Sequence, residues 1–237
     1  RSSSENWGMS IFLMAVSLIL IFIPPKDLAK KRANIPISIS LISGLLLGIS
    51  FICRFQMGFM ILGLGFWLMF IGKISFKSLF IIFHSMILFF FLNSFIDQWG
   101  YGELTFPAWN YFIQNIVEDK ASHFGVSPWW DYFRLGFLRG IPPISLPYIV
   151  AIFYFIYKQP RHVFNWIQAP FLIVHMIIGH KELRFLFPSM VLASYSMSFF
   201  YLEYLKNWKY GKKLERIVII CNLSLLLVVI CRPANSS

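Results

Sequence analysis

Charge is what this chain of 237 residues has least of. Asp, Glu, Lys and Arg make up only 13% of it, about half the share usual in soluble domains, while apolar residues reach 58% and aromatics 19%. That excludes a water-soluble domain of this size and points to a polytopic membrane protein. Acidic side chains are scarcest, 10 against 21 lysines and arginines, for a net charge of +11. The excess does not indicate a nucleic-acid partner, because the cations sit in short clusters beside apolar runs, where the cytoplasmic charge bias of membrane proteins puts them. Cysteine is sparse too. Cys53, Cys221 and Cys231 lie in or at the ends of apolar runs without ligand spacing, which excludes a disulfide framework and leaves them as packing residues. Period-two alternation is missing, so a transmembrane barrel is excluded. Internal repeats, low-complexity tracts and a cleavable signal pattern are also missing. The chain opens at Arg1 and enters an apolar run at Trp7, and it reads as a piece of a longer protein.

What is there is a series of eight apolar runs, at 7–23, 35–52, 57–72, 78–96, 135–157, 163–179, 186–205 and 217–231. A span needs about 20 residues as a helix, and several of these are short, which tilt, snorkelling or a thinned slab can accommodate. A lone helix satisfies its own backbone in lipid, so the expected class is all-α with about eight transmembrane helices in one domain, 1–237. Pro24-Pro25 is expected to end the first helix, and Pro142-Pro143 to kink the fifth.

Taking the loops alternately, one side receives thirteen cations: Lys26, Lys30, Lys31 and Arg32; Lys73 and Lys77; Lys158 and Arg161; and Lys206, Lys209, Lys212, Lys213 and Arg216. The other receives eight, Arg1, Arg54, Lys120, Arg134, Arg139, Lys181, Arg184 and Arg232, spread over more residues. The first side is therefore read as cytoplasmic. The loop at 97–134 and the connector at 180–185 then share the opposite face.

The long outer loop contains an expected interfacial helix. Thr105 is placed to cap it and Pro107 to stand in its first turn. Phe106, Trp109, Phe112, Ile113 and Ile116 then share one face, away from Asn110, Gln114 and Asp119. Such a helix can anchor the loop or wall a groove for a prenyl chain. Trp129, Trp130 and Tyr132 read as belt aromatics or as a stacking surface for a sugar.

The connector His180-Lys181-Glu182-Leu183-Arg184-Phe185 packs four ionisable side chains between two apolar runs. Ionisable groups at such depth are costly and mark functional paths, although Glu182 pairing with Lys181 or Arg184 in a plain polar turn would look the same. Its string, HKELRFLFP, resembles the HKExRF signature of the glycosyltransferase family that includes the mannosyltransferases of glycosylphosphatidylinositol and N-glycan assembly. Asp97-Gln98-Trp99-Gly100-Tyr101-Gly102 and its aromatic continuation to Asn110 and Phe112 resemble that family's D-x-x-x-Y-G segment. His123-Phe124-Gly125-Val126-Ser127-Pro128-Trp129 is similar to its F-G-x-x-P-W element. Arg54-Phe55-Gln56, the opening Arg1 to Asn6 and the compact loops look most like bacterial members. Gln98 departs from the small residue frequent there, and Trp99-Gly100 from an aromatic pair.

The resemblance implies a GT-C fold and a hexosyl transfer, with a mannosyl-type sugar moving from a polyprenyl- or dolichyl-phosphate donor to a glycan or lipid-linked acceptor, on the non-cytoplasmic side. It implies no cofactor and no metal. Such a transfer needs a base for the acceptor hydroxyl, cations for the departing phosphate and a wall against water, and a base facing the leaving group across the sugar gives inversion. Arg184 is the first candidate for the donor phosphate, because guanidinium offers a two-pronged donor, and Lys181 is the second. His180 can donate to the phosphate or be satisfied at a helix end. Arg54 can add a cation or simply snorkel. Glu182 is expected to orient the cations rather than act as base. Asp97, Tyr101, Glu103, Trp109, Asn110, His123 and Trp129 are expected to line the site, with Asp97 the family's acidic position there. The family's catalytic base falls in an outer loop upstream of Arg1. The expected setting is a bacterial inner membrane with the site outside, or the endoplasmic reticulum with the site lumenal. Two other classes remain open: a transporter or flippase for an anionic headgroup, and a non-catalytic subunit of a membrane glycosyltransferase. The lack of paired, symmetry-related broken helices weighs against a transporter.

Overall fold

The computed structural model describes residues 4–24, 32–103, 105–118, 120, 123, 125–139 and 145–231. Arg1, Pro25, Lys26, Lys30, Lys31, Asp119, Phe124, Pro142, Pro143, Arg232 and the side chain of Ile116 lie outside the described residues. Among those described, regular structure is helical apart from one bridge between Ala33 and Ile74. Two compact units form: residues 1–132 with 161–189, and residues 133–160 with 190–237.

The first unit begins with α1 (Ser4–Leu20), α2 (Ile37–Cys53), α3 (Met57–Phe70) and α4 (Phe76–Tyr101). α1 packs on α2, and α2 packs on α4. Met9, Phe12, Val16 and Ile19 recur at helical spacing on α1 and are buried, the stripe an amphipathic helix turns to its neighbours. Small residues set the other contact. A Cβ added at Gly44 would stand 2.3 Å from the Ile82 carbonyl oxygen, and one at Gly48 2.9 Å from the Phe89 ring. This Gly-x-x-x-Gly pair lets two backbones approach where lipid supplies no hydrophobic drive between helices. The sequence reading missed it.

α4 is capped at both ends. Ser75 accepts a hydrogen bond from the Ser78 N–H at 3.1 Å, and Gly102, at φ 78°, ends the helix in the left-handed conformation. It thereby exceeds its expected run of 78–96. With 26 residues and only Ser78, Ile82 and Ser94 buried, it is long and apolar enough to cross a membrane.

In the loop after α4, α5 (Pro107–Phe112) runs into a π turn at Ile113–Val117. The expected cap is corrected here. Phe106, not Thr105, precedes the first helical residue, and no side chain caps the end; Pro107 has no N–H to offer. After α6 (Asp131–Arg139) has left this unit, the chain returns as α8 (Val163–Ile177), which packs on α3. Pro170 stands inside α8 and frees the Trp166 carbonyl four residues back. A Cβ on Gly63 would lie 2.2 Å from that oxygen, so α3 can meet α8 there only because it has none.

The second unit holds the rest of α6 together with α7 (Ser145–Lys158), most of α9 (Phe187–Glu203) and α10 (Gly211–Cys231). The single run expected at 135–157 is two helices. α6 stops at Arg139, α7 starts at Ser145, and the Ser145 hydroxyl donates to the Phe137 carbonyl at 2.8 Å. Ala151, Phe200 and Leu205 form this unit's core, with Tyr154 edge-on to Phe200 at 5.1 Å. α10 begins six residues earlier than the apolar run suggested, taking Lys212, Lys213 and Arg216 into its first turns. The stretch Leu183–Asn207, which carries α9, is the second that is long and apolar enough to span. The other apolar helices, α1, α2, α3, α7 and α8, have 14–17 residues.

Candidate active site

A cavity of about 810 Å³ opens in the first unit. Its wall comes from the corner between α2 and α3, from α5 and its π turn, from the end of α8 and from the connector behind it. Most of its surface is apolar, with Phe51, Phe55, Phe59, Tyr111, Phe112 and Phe185 supplying rings, and Arg54, His180, Glu182 and Arg184 make it polar where the connector meets the α2–α3 corner.

The connector's backbone explains the sorting of its charges. α8 ends at Ile177, and the chain leaves it extended, with Ile178 at φ −63°, ψ 126° and Glu182 at φ −128°, ψ 135°. Side chains alternate on extended backbone, so His180 and Glu182 reach the cavity while Lys181 between them turns away, and the 3-10 turn that follows, Leu183–Leu186, brings Arg184 and Phe185 to the wall as well. The Lys181 ammonium donates to the carbonyls of His175 at 3.2 Å, of Met176 at 2.9 Å and of Ile178, capping the negative end of α8. Burial pulls the Lys181 ammonium below its ordinary pKa, with Asp131 acting the other way. Lys181 was expected to be the second phosphate ligand. Its donors are committed to a helix end instead, and it is not in the cavity wall.

Glu182 joins His180 and Arg184. Its carboxylate takes a hydrogen bond from His180 Nε2 at 2.9 Å and two from Arg184, one from Nε and one from an outer nitrogen at 3.1 Å. The His180 bond, assisted by Arg184 and opposed by burial, holds this carboxyl below the usual range. A carboxylate so held orients its partners and is a weak base. Arg184 is 62% exposed along its side chain and open to a ligand.

Arg54 stands at the end of α2, its guanidinium carbon 5.6 Å from the centre of the Phe185 ring; the Arg184 guanidinium lies at the same distance from that ring. It also pairs with Glu5 of α1 at 3.0 Å, so its head is bound to protein and does not snorkel to water. Sequence reasoning passed over Glu5, which is 6% exposed, although an acid in so acid-poor a chain at the mouth of a span is a signal. It also passed over His175 in the cavity wall. This buried histidine donates from Nδ1 to the Phe171 carbonyl at 2.7 Å, which leaves Nε2 as the acceptor. Gln56 bonds the Tyr111 hydroxyl at 3.2 Å and ties α5 to the α2–α3 corner.

The other expected site residues are not brought into this cavity. Asp97 and Tyr101 share the last turn of α4, where Asp97 accepts from Asn93 at 2.9 Å and Tyr101 is exposed, with Glu103 just beyond. Trp109 is exposed and stacks on Phe112 at 5.6 Å; Asn110, His123 and Trp129 are exposed as well. On α5 it is Ala108, Tyr111 and Phe112 that face the cavity, so of the face expected to wall a groove Phe112 reaches the cavity and Trp109 does not.

The model of the Alg9-like mannosyltransferase family matches residues 4–233. The chain belongs to that family. Similar proteins include GPI mannosyltransferase 3 of Gibberella zeae, 36% identical over 123 residues, which is 44% of this chain and 19% of that protein. A probable Dol-P-Man:Man(7)GlcNAc(2)-PP-Dol alpha-1,6-mannosyltransferase of Schizosaccharomyces pombe is 34% identical over 92 residues, 38% of this chain and 16% of that one. GPI alpha-1,2-mannosyltransferase 3 of Homo sapiens is 29% identical over 140 residues, 57% of this chain and 24% of that one. The chain thus covers about a quarter or less of each. No solved structure matches it. The charged rim and aromatic cavity are what this member of the Alg9-like family offers a ligand with an anionic head and an apolar body.

Proposed function

We propose that the chain carries the donor end of a membrane mannosyltransferase that takes mannose from a polyprenyl- or dolichyl-phosphate carrier and gives it to a glycan or lipid-linked acceptor. One observation carries this reading: two guanidinium groups, Arg54 and Arg184, meet one phenylalanine ring at the polar part of an aromatic-lined cavity. A phosphodiester would sit at the arginines and its prenyl tail along Phe51, Phe55 and Phe112. As the bond from the sugar to the phosphate breaks, charge grows on the phosphate oxygens, and Arg184, pre-aimed by Glu182, meets it without reorganising. His180 hands that phosphate a proton or a hydrogen bond. The acceptor's proton goes to a base outside these residues, and attack opposite the phosphate inverts the anomeric carbon. Asp97, Tyr101, Glu103, Trp109, Asn110, His123 and Trp129 remain candidates for the acceptor side. No cofactor or metal enters this scheme.

The reading includes eight spans in one domain, with the cavity on the non-cytoplasmic face. Arg32 and Lys73 are held at one end of α2, and Arg54 and Arg184 gather at the other, as the alternating charge count groups them. Fungal and mammalian relatives favour a lumen-facing site in the endoplasmic reticulum over a bacterial inner membrane. The test is mannosyl transfer by washed membranes bearing the full-length protein, with polyprenyl-phosphate mannose or a nucleotide-mannose as donor. Transfer from the lipid donor alone is the expected result. Transfer from the nucleotide sugar alone would overturn both donor and orientation, and transfer from neither would favour a transporter or a non-catalytic subunit.

A further inference from the structure

A buried carboxylate that the proposed transfer does not use lies behind the cavity wall. Glu5 is 6% exposed, lies outside the lining, and takes a 3.0 Å ion pair from the guanidinium of Arg54. Neighbouring groups show how closely α1 lies against the end of α2 beside that carboxylate. The Ser50 hydroxyl donates to the Gly8 carbonyl at 2.8 Å, one turn along α1 from Glu5. A Cβ on Gly8 would already touch Met57, the Ser50 carbonyl and Arg54 at 3.4–3.5 Å, so α1 lies close against the end of α2. Arg54 itself sits where the backbone turns extended, φ −156° and ψ 110°, and its long side chain has no helix to direct it. The Glu5 carboxylate at 3.0 Å and the Phe185 ring at 5.6 Å hold its head.

We propose that Glu5 is a positioning residue for lipid-phosphate binding, holding Arg54 so that its remaining donors address an anion in the cavity. Planar bidentate recognition needs an oriented guanidinium, and a carboxylate partner orients it while offsetting the burial of its charge. The inference rests on the reading of Arg54 as a phosphate ligand, but it concerns binding and does not require turnover.

The test is binding of polyprenyl monophosphate to the detergent-solubilised full-length protein, with free polyprenol as the blank, alongside the transfer assay above. Glu5→Ala should weaken binding roughly ten- to a hundred-fold, the loss seen when the partner orienting a ligating side chain is removed. Glu5→Gln keeps an acceptor in place and should stay within a few-fold of the wild type. In an Arg54→Ala background, Glu5→Ala should change nothing further, because its action runs through Arg54. Ser50→Ala, which loosens the α1 contact without touching either charge, should bind as the wild type does. Unchanged or tighter binding by Glu5→Ala overturns the proposal. So do additive losses in the double variant, an equal loss in Ser50→Ala, and absence of phosphate-dependent binding in the wild type. Glu5→Gln and the double variant keep the test decisive if Glu5→Ala does not fold. Phosphate-dependent binding that follows this pattern without transfer would sink the enzyme reading and leave the inference standing; transfer with binding indifferent to Glu5 would do the reverse.

Discussion

The two ends of α2 each present an arginine over a phenylalanine ring, and the two do different work. At the N-terminal end Arg32 lies 4.3 Å from the Phe76 ring centre and donates to the Ile74 carbonyl at 3.1 Å. Around it, the Ala33 N–H donates to the Lys73 carbonyl at 3.1 Å, the Ser75 N–H donates to the Ala33 carbonyl at 2.7 Å, and the Ile35 N–H reaches the Ser78 hydroxyl at 3.0 Å, with Ile35 and Ile74 buried. Lys73 is forced to a positive φ of 46° to make that corner. About 25 Å away along the helix, Arg54 meets Phe185, but its partner is a carboxylate and its neighbour is a cavity. The first end satisfies neutral backbone; the second balances charges among side chains at the wall of a cavity. Charge that is offset by a side chain remains available to a ligand of the same sign as that side chain. Charge spent on carbonyls does not.

The most damaging change to this contrast should be Arg184→Ala. It should lower transfer from the lipid donor by about 10²–10³-fold, the usual cost of one donor aimed at developing charge. Initial rates will show this, and near-normal transfer would remove Arg184 from the scheme. Lys181→Met should instead cost about 1–2 kcal/mol of stability through the uncapped α8, with donor KM unchanged. Thermal unfolding beside donor titration separates the two, and a shifted KM would return Lys181 to the site. Arg32→Gln should cost about 1 kcal/mol and leave transfer intact. Loss of activity without loss of stability there would break the contrast between the two ends. Acid should act on one end alone. Because the Glu182 carboxyl is held below its ordinary value of 4.5, its ion pairing is fully present above that pH and is lost only as pH falls further, through the lowered value. The infrared band of its protonated form, identified by its loss in Glu182→Gln, should therefore emerge only below pH 4.5. Smallest of all, exposed Lys209→Ala should be silent in both assays.

The apolar runs showed where helices would stand because burial in lipid writes itself into composition, and the connector declared itself because ionisable groups are costly there. Local strings carried less than that. Whether a side chain in the connector faces the cavity or α8 depends on the extended phase of the backbone at Glu182, which no residue count reveals, so Lys181 and Arg184 looked alike. Glu5 and Arg54 are far apart in the chain and meet only because α1 folds onto α2. Gly44 and Gly48 were visible and unread. An apolar helix with small residues four apart is an invitation to close packing whatever its neighbour, and here the neighbour is α4.

α4 also measures the slab around it. Its 26 residues rise about 39 Å, while the hydrocarbon layer is about 30 Å thick. A helix of that length either leans or pushes its last turns among the headgroups. Those turns carry Asp97, Trp99 and Tyr101, the polar and amphipathic side chains that such a layer tolerates, and Gly102 ends the rod immediately after them. A membrane thickened by a few ångströms should stand the rod more upright, and one thinned should lay it over. The depth at which the segment from Asp97 to Gly102 sits is thereby set by the lipid as well as by the protein.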